Sequence, residues 1–187
     1  MSQKLNGKKV AILATDGFEE SELSEPRAAL ERFGATVHVI APGKDSIRAW
    51  AGSDWGKPHD VDERLEEVKA DDYDALVLPG GLFNPDALRQ NEQALAFTRQ
   101  FFVAHKPVGA ICHGPWVLIN AGVAKGRRMT SYPSVEQDLR NAGAEWVNRE
   151  VVVDSGLVTS RKPDDLEAFC AKLIEEIGEG KHSRQHA

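Results

Sequence analysis

The 187-residue sequence predicts an α/β fold: a three-layer sandwich with a mostly parallel sheet, helices on both faces and a small antiparallel hairpin. Three observations predict it. Four short apolar or β-branched runs, at 9–14, 36–41, 75–79 and 107–111, read as strands, and the first is continuous, as a strand covered on both faces would be. Segments of helical spacing separate them, so strand and helix alternate as βαβ units do. A late turn, Asp154-Ser155-Gly156, lies between two short β-rich segments and marks the hairpin. The arrangement is doubly wound and flavodoxin-like, and in such sheets ligands bind beyond the carboxyl ends of the strands.

The elements follow in order. K-V-A-I-L-A at 9–14 is the first strand, and Thr15-Asp16-Gly17-Phe18 turns the chain. Glu19 to Phe33 reads as a helix, with Ser21 or Ser24 as caps and Pro26 in its first turn, ended by Gly34. T-V-H-V-I-A at 36–41 is β-branched and forms the second strand. The stretches Ile47 to Trp50 and around Trp55 read as antiparallel excursions, and Val61 to Val68 as an amphipathic helix. Ala75 to Pro79 is the third strand, closed by Gly80-Gly81.

Asn84 to Arg89 is a short helix, and Asn91 to His105 a longer one with Leu95, Phe97, Phe101 and Phe102 on its apolar side. Pro107 to Ile111 is the fourth strand, and Trp116 to Ala121 the helix after it. Val135 to Ala142 is a short helix. Trp146-Val147, Val151 to Val153 and Leu157 to Thr159 are short β segments. Pro163 to Ile177 closes the fold, and Gly178 to Ala187 reads as a frayed polar tail.

Composition bounds the function. At 41% hydrophobic and 28% charged, the chain is an ordinary globular one, most simply a single domain over 1–187. A net charge of −6 supplies no basic excess to offset phosphates, so neither a nucleic-acid partner nor a membrane surface is expected. The polar N-terminus has no signal-peptide core, and with two Cys the natural setting is a reducing cytoplasm. Cys170 sits at helical spacing among apolar residues and reads as inert core.

The chemistry converges on K-P-V-G-A-I-C-H-G-P-W, where a strand ends abruptly, turns on small residues and starts a helix at Pro115. The thiol of Cys112 sits on that turn, as a nucleophile does on an elbow. A helix N-terminus there would lower its pKa. A buried, inert Cys is the alternative. Glu19, Glu20 and Glu22 follow the first strand. A protonated carboxyl among them could donate to the thiolate, and a solvated helix start is the bland reading. Gly80-Gly81 lacks any nucleotide-loop pattern; its glycines suit a backbone N–H donor to an oxyanion, jointly with the N–H of His113. His113 can act as base only if the turn splays it towards Cys112 and a third group orients it, for which Asp86 is a candidate. No metal-ligand spacing is present.

These residues resemble the PfpI family, within the superfamily of the parkinsonism-associated deglycase-like protein and the class I glutamine-amidotransferase-like fold. The likeness rests on A-I-C-H-G-P at 110–115, L-P-G-G at 78–81 with Pro85-Asp86, D-G-F-E-E-S-E at 16–22, S-Y-P-S at 131–134 and V-T-S-R-K-P-D-D-L at 158–166. It covers about residues 8 to 177 and is similar to small bacterial stress proteins. The resemblance implies one PfpI-like domain with Cys112 as reactive thiol, Glu22 as its carboxylic-acid partner, and Gly81 and His113 as backbone donors. It implies that Asp86 reaches His113 across a subunit interface in a homodimer or homohexamer. Asp stands where archaeal relatives have Glu, after a slightly longer loop. No cofactor is implied. The implied activities are a cytoplasmic glyoxalase or deglycase acting on reactive dicarbonyls or glycation adducts, or a cysteine peptidase with a Cys112-His113-Asp86 triad. A non-enzymatic redox sensor or chaperone is the third reading.

Overall fold

The computed structural model describes residues 4–187, so Met1 to Gln3 of the polar N-terminus lie outside the described residues. The elements are β1 (Lys9–Leu13), β2 (Phe18–Glu19), α1 (Glu20–Arg32), β3 (Thr36–Ala41), β4 (Ser46–Ala51), β5 (Asp54–Asp60), β6 (Glu63–Arg64), β7 (Ala75–Leu78), α2 (Phe83–Leu88), α3 (Glu92–Val103), β8 (Val108–Ile111), α4 (Pro115–Asn120), β9 (Arg128–Met129), α5 (Glu136–Asn141), β10 (Glu145–Trp146), β11 (Val151–Asp154), β12 (Leu157–Ser160) and α6 (Leu166–Glu179). The central sheet runs β11-β12-β8-β7-β1-β3-β6. Its pairs are parallel except β11 with β12, the hairpin predicted from Asp154-Ser155-Gly156. The excursion after β3 is the antiparallel pair β4–β5.

Both faces of the sheet are covered at its centre, where β1, β7 and β8 are almost wholly buried and apolar. On β1, Val10 and Ile12 face a layer with Leu23 and Leu30 of α1 and Phe169 and Leu173 of α6. Ala11 and Leu13 face the other layer, with Phe97, Phe101 and Phe102 of α3 and Leu118 of α4. Each fully buried Leu, Ile or Phe contributes about 1.5–3 kcal/mol. Gly109 on β8 lets α6 come close: a Cβ there would lie 2.9 Å from Leu173 Cδ1 and 3.0 Å from Phe169 Cζ. The chain leaves β1 for β3 on one side and later crosses to β7 on the other, so β1 and β7 flank the switch point where a crevice opens.

Four expectations are corrected. Val61 to Val68 is not a helix: it is β6 and a single 3₁₀ turn over Leu65–Glu67. The Asp62 carboxylate accepts the Val39 N–H at 2.8 Å, holding this stretch extended beside β3. Neither Ser21 nor Ser24 caps α1; Glu19 occupies the N-cap without a side-chain bond, and Ser24 Oγ donates to Glu20 O. Pro26 lies beyond the first turn of α1, inside the helix. Its missing N–H leaves the Glu22 carbonyl without its helical donor. The C-terminal tail is docked rather than frayed. His182 N donates to His105 O at 2.9 Å, the Arg127 guanidinium donates to His186 O, and Gln185 is buried.

Replacing Gly109 by Val should lower the stability of the folded chain by about 1–3 kcal/mol, as overpacking does. Urea unfolding followed by tryptophan fluorescence measures it, and an unchanged midpoint would contradict the close β8–α6 contact.

Candidate active site

Three strand exits meet at one point. At the end of β8, Cys112 adopts φ +60°, a left-handed conformation that costs a non-glycine residue about 1–2 kcal/mol. Backbone bonds hold it there: Cys112 N donates to Ser160 O at 3.1 Å, Tyr132 N donates to Cys112 O at 2.9 Å, and Gly114 N closes the turn onto Ile111 O at 2.9 Å. Gly114 has no room for a side chain, since a Cβ would lie 2.6 Å from Leu78 O. Gly80, at the exit of β7, is as tightly placed: a Cβ would lie 2.5 Å from Glu22 Oε2 and 2.6 Å from Cys112 Cβ.

Glu22 comes from α1, beyond the exit of β1. It shares the buried face of that helix with Leu23, Pro26 and Leu30, and its side chain is fully buried. Oε2 accepts the Gly80 N–H at 2.7 Å, and Oε1 has no conventional hydrogen-bond partner. Burial, reinforced by the nearby Glu19 carboxylate, pushes the carboxyl up to about 8, against the pull of the Gly80 N–H and the Cys112 thiol. Glu22 therefore carries a proton at neutral pH.

Cys112 is 7% exposed. Burial pushes its thiol up, a Glu22 carboxylate would push it further, and the backbone N–H groups of His113 and Gly81 pull it down. The expected fall in the Cys112 pKa is thus overturned. Desolvation outweighs the helix end, because α4 spans only Pro115–Asn120 and its dipole is correspondingly small. Both backbone donors singled out in the sequence, on Gly81 and His113, do converge on the sulfur.

The turn splays Cys112 and His113 enough for their side chains to meet: Sγ lies 3.2 Å from His113 Nδ1. Burial lowers the His113 pKa, so the ring is neutral at pH 7 and can accept a proton. Its far nitrogen, Nε2, lies 3.1 Å from Ser134 Oγ. The ring is stacked on Tyr132, with centroids 4.8 Å apart, and meets Trp116 edge-on at 4.9 Å. Asp86 is not part of this group within the chain. Its carboxylate pairs with Arg89 at 2.7 Å, and that guanidinium lies over Trp116, 4.5 Å from the ring centroid.

Cys112, His113, Glu22 and Gly81 are therefore brought together, and Asp86 stands apart. Sequence reasoning missed Gly80 as the donor to Glu22, and Ser134 and Tyr132 as the supports of His113. The glycine pair and the S-Y-P-S stretch were visible, but neither distance along the chain nor periodicity says what they face. Cys170 is partly buried, and burial pushes its thiol up to about 12, which suits an unreactive side chain. Among the described residues, one trio of potential metal ligands, Glu176, Glu179 and His182, brings its ligand atoms within 4.8 Å of one another. It lies at the end of α6, beside Gly156 and His105, where β12 and β8 begin, whereas Cys112 follows the other end of β8.

Residues 8–176 match the profile of the DJ-1/PfpI family. Among similar proteins is the deglycase TK1284 of Thermococcus kodakarensis, 45% identical over 89% of this chain and 97% of its own. A putative cysteine protease of Bacillus subtilis, YraA, is 44% identical over 87% of this chain and 94% of its own. The protein/nucleic acid deglycase 2 of Escherichia coli is 42% identical over 91% of this chain and 98% of its own.

A carboxyl whose folded pKa is raised to about 8 from 4.5 adds stability that is whole below the unfolded value and is lost as pH rises through the folded one. Between about pH 5 and pH 8 the native chain should therefore lose stability relative to Glu22→Gln, at up to about 1.4 kcal/mol per pH unit. Chemical denaturation of both proteins across that range measures the difference. Parallel curves would show that Glu22 is not held protonated.

Proposed function

The chain belongs to the DJ-1/PfpI family, and on that premise we propose that it acts on reactive dicarbonyls or early glycation adducts, as a deglycase or glyoxalase. The observation that carries this reading is the 3.2 Å contact between Cys112 Sγ and the neutral His113 ring, with two backbone N–H groups on the same sulfur. Neighbouring support comes from TK1284 and the Escherichia coli protein, both named deglycases.

With methylglyoxal the sequence of steps is as follows. The Cys112 proton passes to His113 Nδ1 as the sulfur attacks the aldehyde carbon and a C–S bond forms. The carbonyl oxygen takes up the negative charge between the N–H groups of Gly81 and His113. His113 returns the proton to that oxygen, giving a hemithioacetal. The hydrogen on the sulfur-bearing carbon then moves, as a proton carried by the neutral His113, to the neighbouring carbonyl carbon, while the hydroxyl proton of the sulfur-bearing carbon passes to the former ketone oxygen. This leaves a thioester of lactate, which water cleaves to lactate and the free thiol. The aldehyde carbon is oxidised and the ketone carbon reduced within one molecule, so no cofactor is needed. On an early amine adduct the sulfur replaces nitrogen at the same carbon, and the amine leaves with a proton from His113.

The Cys112–His113 contact also favours a second reading, a cysteine peptidase, in keeping with the name of YraA. That reading needs an acid on His113. Within this chain the place is taken by Ser134, so an acid such as Asp86 would have to come from another copy, in a homodimer or homohexamer. Redox sensing draws less support, because a thiol pushed up by burial is poorly ionised. One PfpI-type domain would carry the activity, in a cytoplasmic stress response; no helix among the described residues is long and apolar enough to cross a membrane. The charge of −6 argues against gripping a phosphate backbone, yet it leaves open removal of an adduct from a nucleic-acid base, as the Escherichia coli name suggests for that protein.

Cys112→Ala should abolish methylglyoxal turnover, and His113→Ala should lower kcat about 10²–10⁴-fold, the usual worth of a general base. Asp86→Ala should change dicarbonyl turnover little, while a peptidase depending on it would lose most activity. Lactate assays and gel assays on a denatured protein substrate, run on one preparation, read all of these. Full turnover by Cys112→Ala would eliminate the proposal.

A further inference from the structure

We propose that Asn84 is a positioning residue for the thiol site, orienting the two backbone N–H groups that serve Glu22 and Cys112; the activity arm of its test rests on the function proposed above. Asn84 lies in the first turn of α2 and is fully buried. Its Nδ2 donates to Pro79 O at 3.0 Å and to Gly80 O at 3.0 Å, and its Oδ1 accepts the Thr15 N–H at 2.8 Å. Both amide hydrogens and one oxygen are thus committed to backbone. Asn84 ties the exit of β1, at Thr15, to the exit of β7, at Pro79 and Gly80.

Peptide planarity turns this clamp into an orienting device. A carbonyl and the N–H that follows it belong to one rigid trans unit and point in opposite directions. Pro79 O therefore shares a plane with Gly80 N–H, which donates to Glu22 Oε2 at 2.7 Å. Gly80 O shares a plane with Gly81 N–H, one of the two donors to the Cys112 sulfur. Asn84 holds the back of both planes, and the two N–H groups on their front faces reach the carboxyl and the thiol. The glycines at 80 and 81 have the freest backbone of any residue and supply no such restraint themselves. An amide side chain suits the place, since it offers two donors and an acceptor at once.

Asn84→Ala and Asn84→Asp separate this from simple packing. The Asp variant keeps the size and the acceptor for Thr15 N–H and loses both donors. Each should lower kcat for methylglyoxal about 10- to 100-fold while KM moves less than threefold, as misplacing an oxyanion donor does. Each should also slow alkylation of Cys112 by iodoacetamide and move its pH midpoint upward. The alkylation arm reads the thiol directly, so it decides the role of Asn84 even if the unmodified protein fails to turn over methylglyoxal, a result that would sink the proposed function alone. A folded variant with kcat within twofold and an unshifted alkylation profile would overturn the inference. So would failure of both variants to fold, which would make the residue's role purely structural.

Discussion

A carboxyl group sealed from water and met by one backbone N–H is the constraint around which the site is arranged. Burying Glu22 disfavours its charge, and the 2.7 Å bond from Gly80 offsets only part of that cost. The contact is possible because nothing projects from position 80: a side chain there would collide with both Glu22 and Cys112. The same lack of a side chain at 114 lets the β8 turn close against Leu78 O. The strand exits can therefore approach one another until a carboxyl, a thiol and an imidazole are in mutual reach. Rigid elements hold the group: α1 carries Glu22, and the sheet register holds the backbone of Cys112.

The source of reactivity differs from the one a strand–turn–helix pattern suggests. A helix start should ionise the thiol at rest, but α4 is short and the sulfur is mostly buried, so desolvation dominates. What the site offers instead is a neutral base in contact and two donors waiting for negative charge. On the proposed function, ionisation would accompany attack, with the charge moving onto an oxygen placed between the N–H groups of Gly81 and His113. The protonated state of Glu22 belongs to the same logic. A second negative charge beside the sulfur would oppose the reaction, and below about pH 8 that charge is absent.

Much of this was legible in the sequence because it depends on local pattern. The four apolar runs read as strands, and each is one; β3 is the run with polar residues, Thr36 and His38, and its start is correspondingly less buried. The elbow at Cys112 was legible from small residues on both sides and a proline where a helix may begin. Tertiary context defeated the rest. Val61 to Val68 has helical spacing but pairs with the sheet edge through β6 and Asp62. The tail looked solvated by composition, yet its backbone bonds to His105 and Arg127, residues far away in sequence. Among the three glutamates after β1, helical phase does not single out Glu22: Glu19 falls closer to the line of Leu23, Pro26 and Leu30, and what seals Glu22 is the exit of β7 at Gly80, which is distant in sequence. The partners of His113 come from the turn at 132–134, which no local rule connects to position 113.

The surroundings of the sulfur bear on what it can attack. Cys112 keeps 7% of its surface, and the His113 ring is gripped between Tyr132 and Trp116. A polypeptide would have to bring a planar amide, with its flanking residues extended, down to that small opening. A two- or three-carbon aldehyde needs no such groove, and neither does a carbinolamine at the end of a flexible side chain. Amide hydrolysis also needs a lasting imidazolium to protonate a poor leaving group, and burial makes the charged ring costly here unless an acid supports it. A soft electrophile asks only for a transient proton transfer, which a neutral imidazole at 3.2 Å can perform without help from a carboxylate. The geometry of the isolated chain is thus consistent with the proposed small carbonyl chemistry, and the alternative peptidase reading would depend on what a second subunit adds to His113.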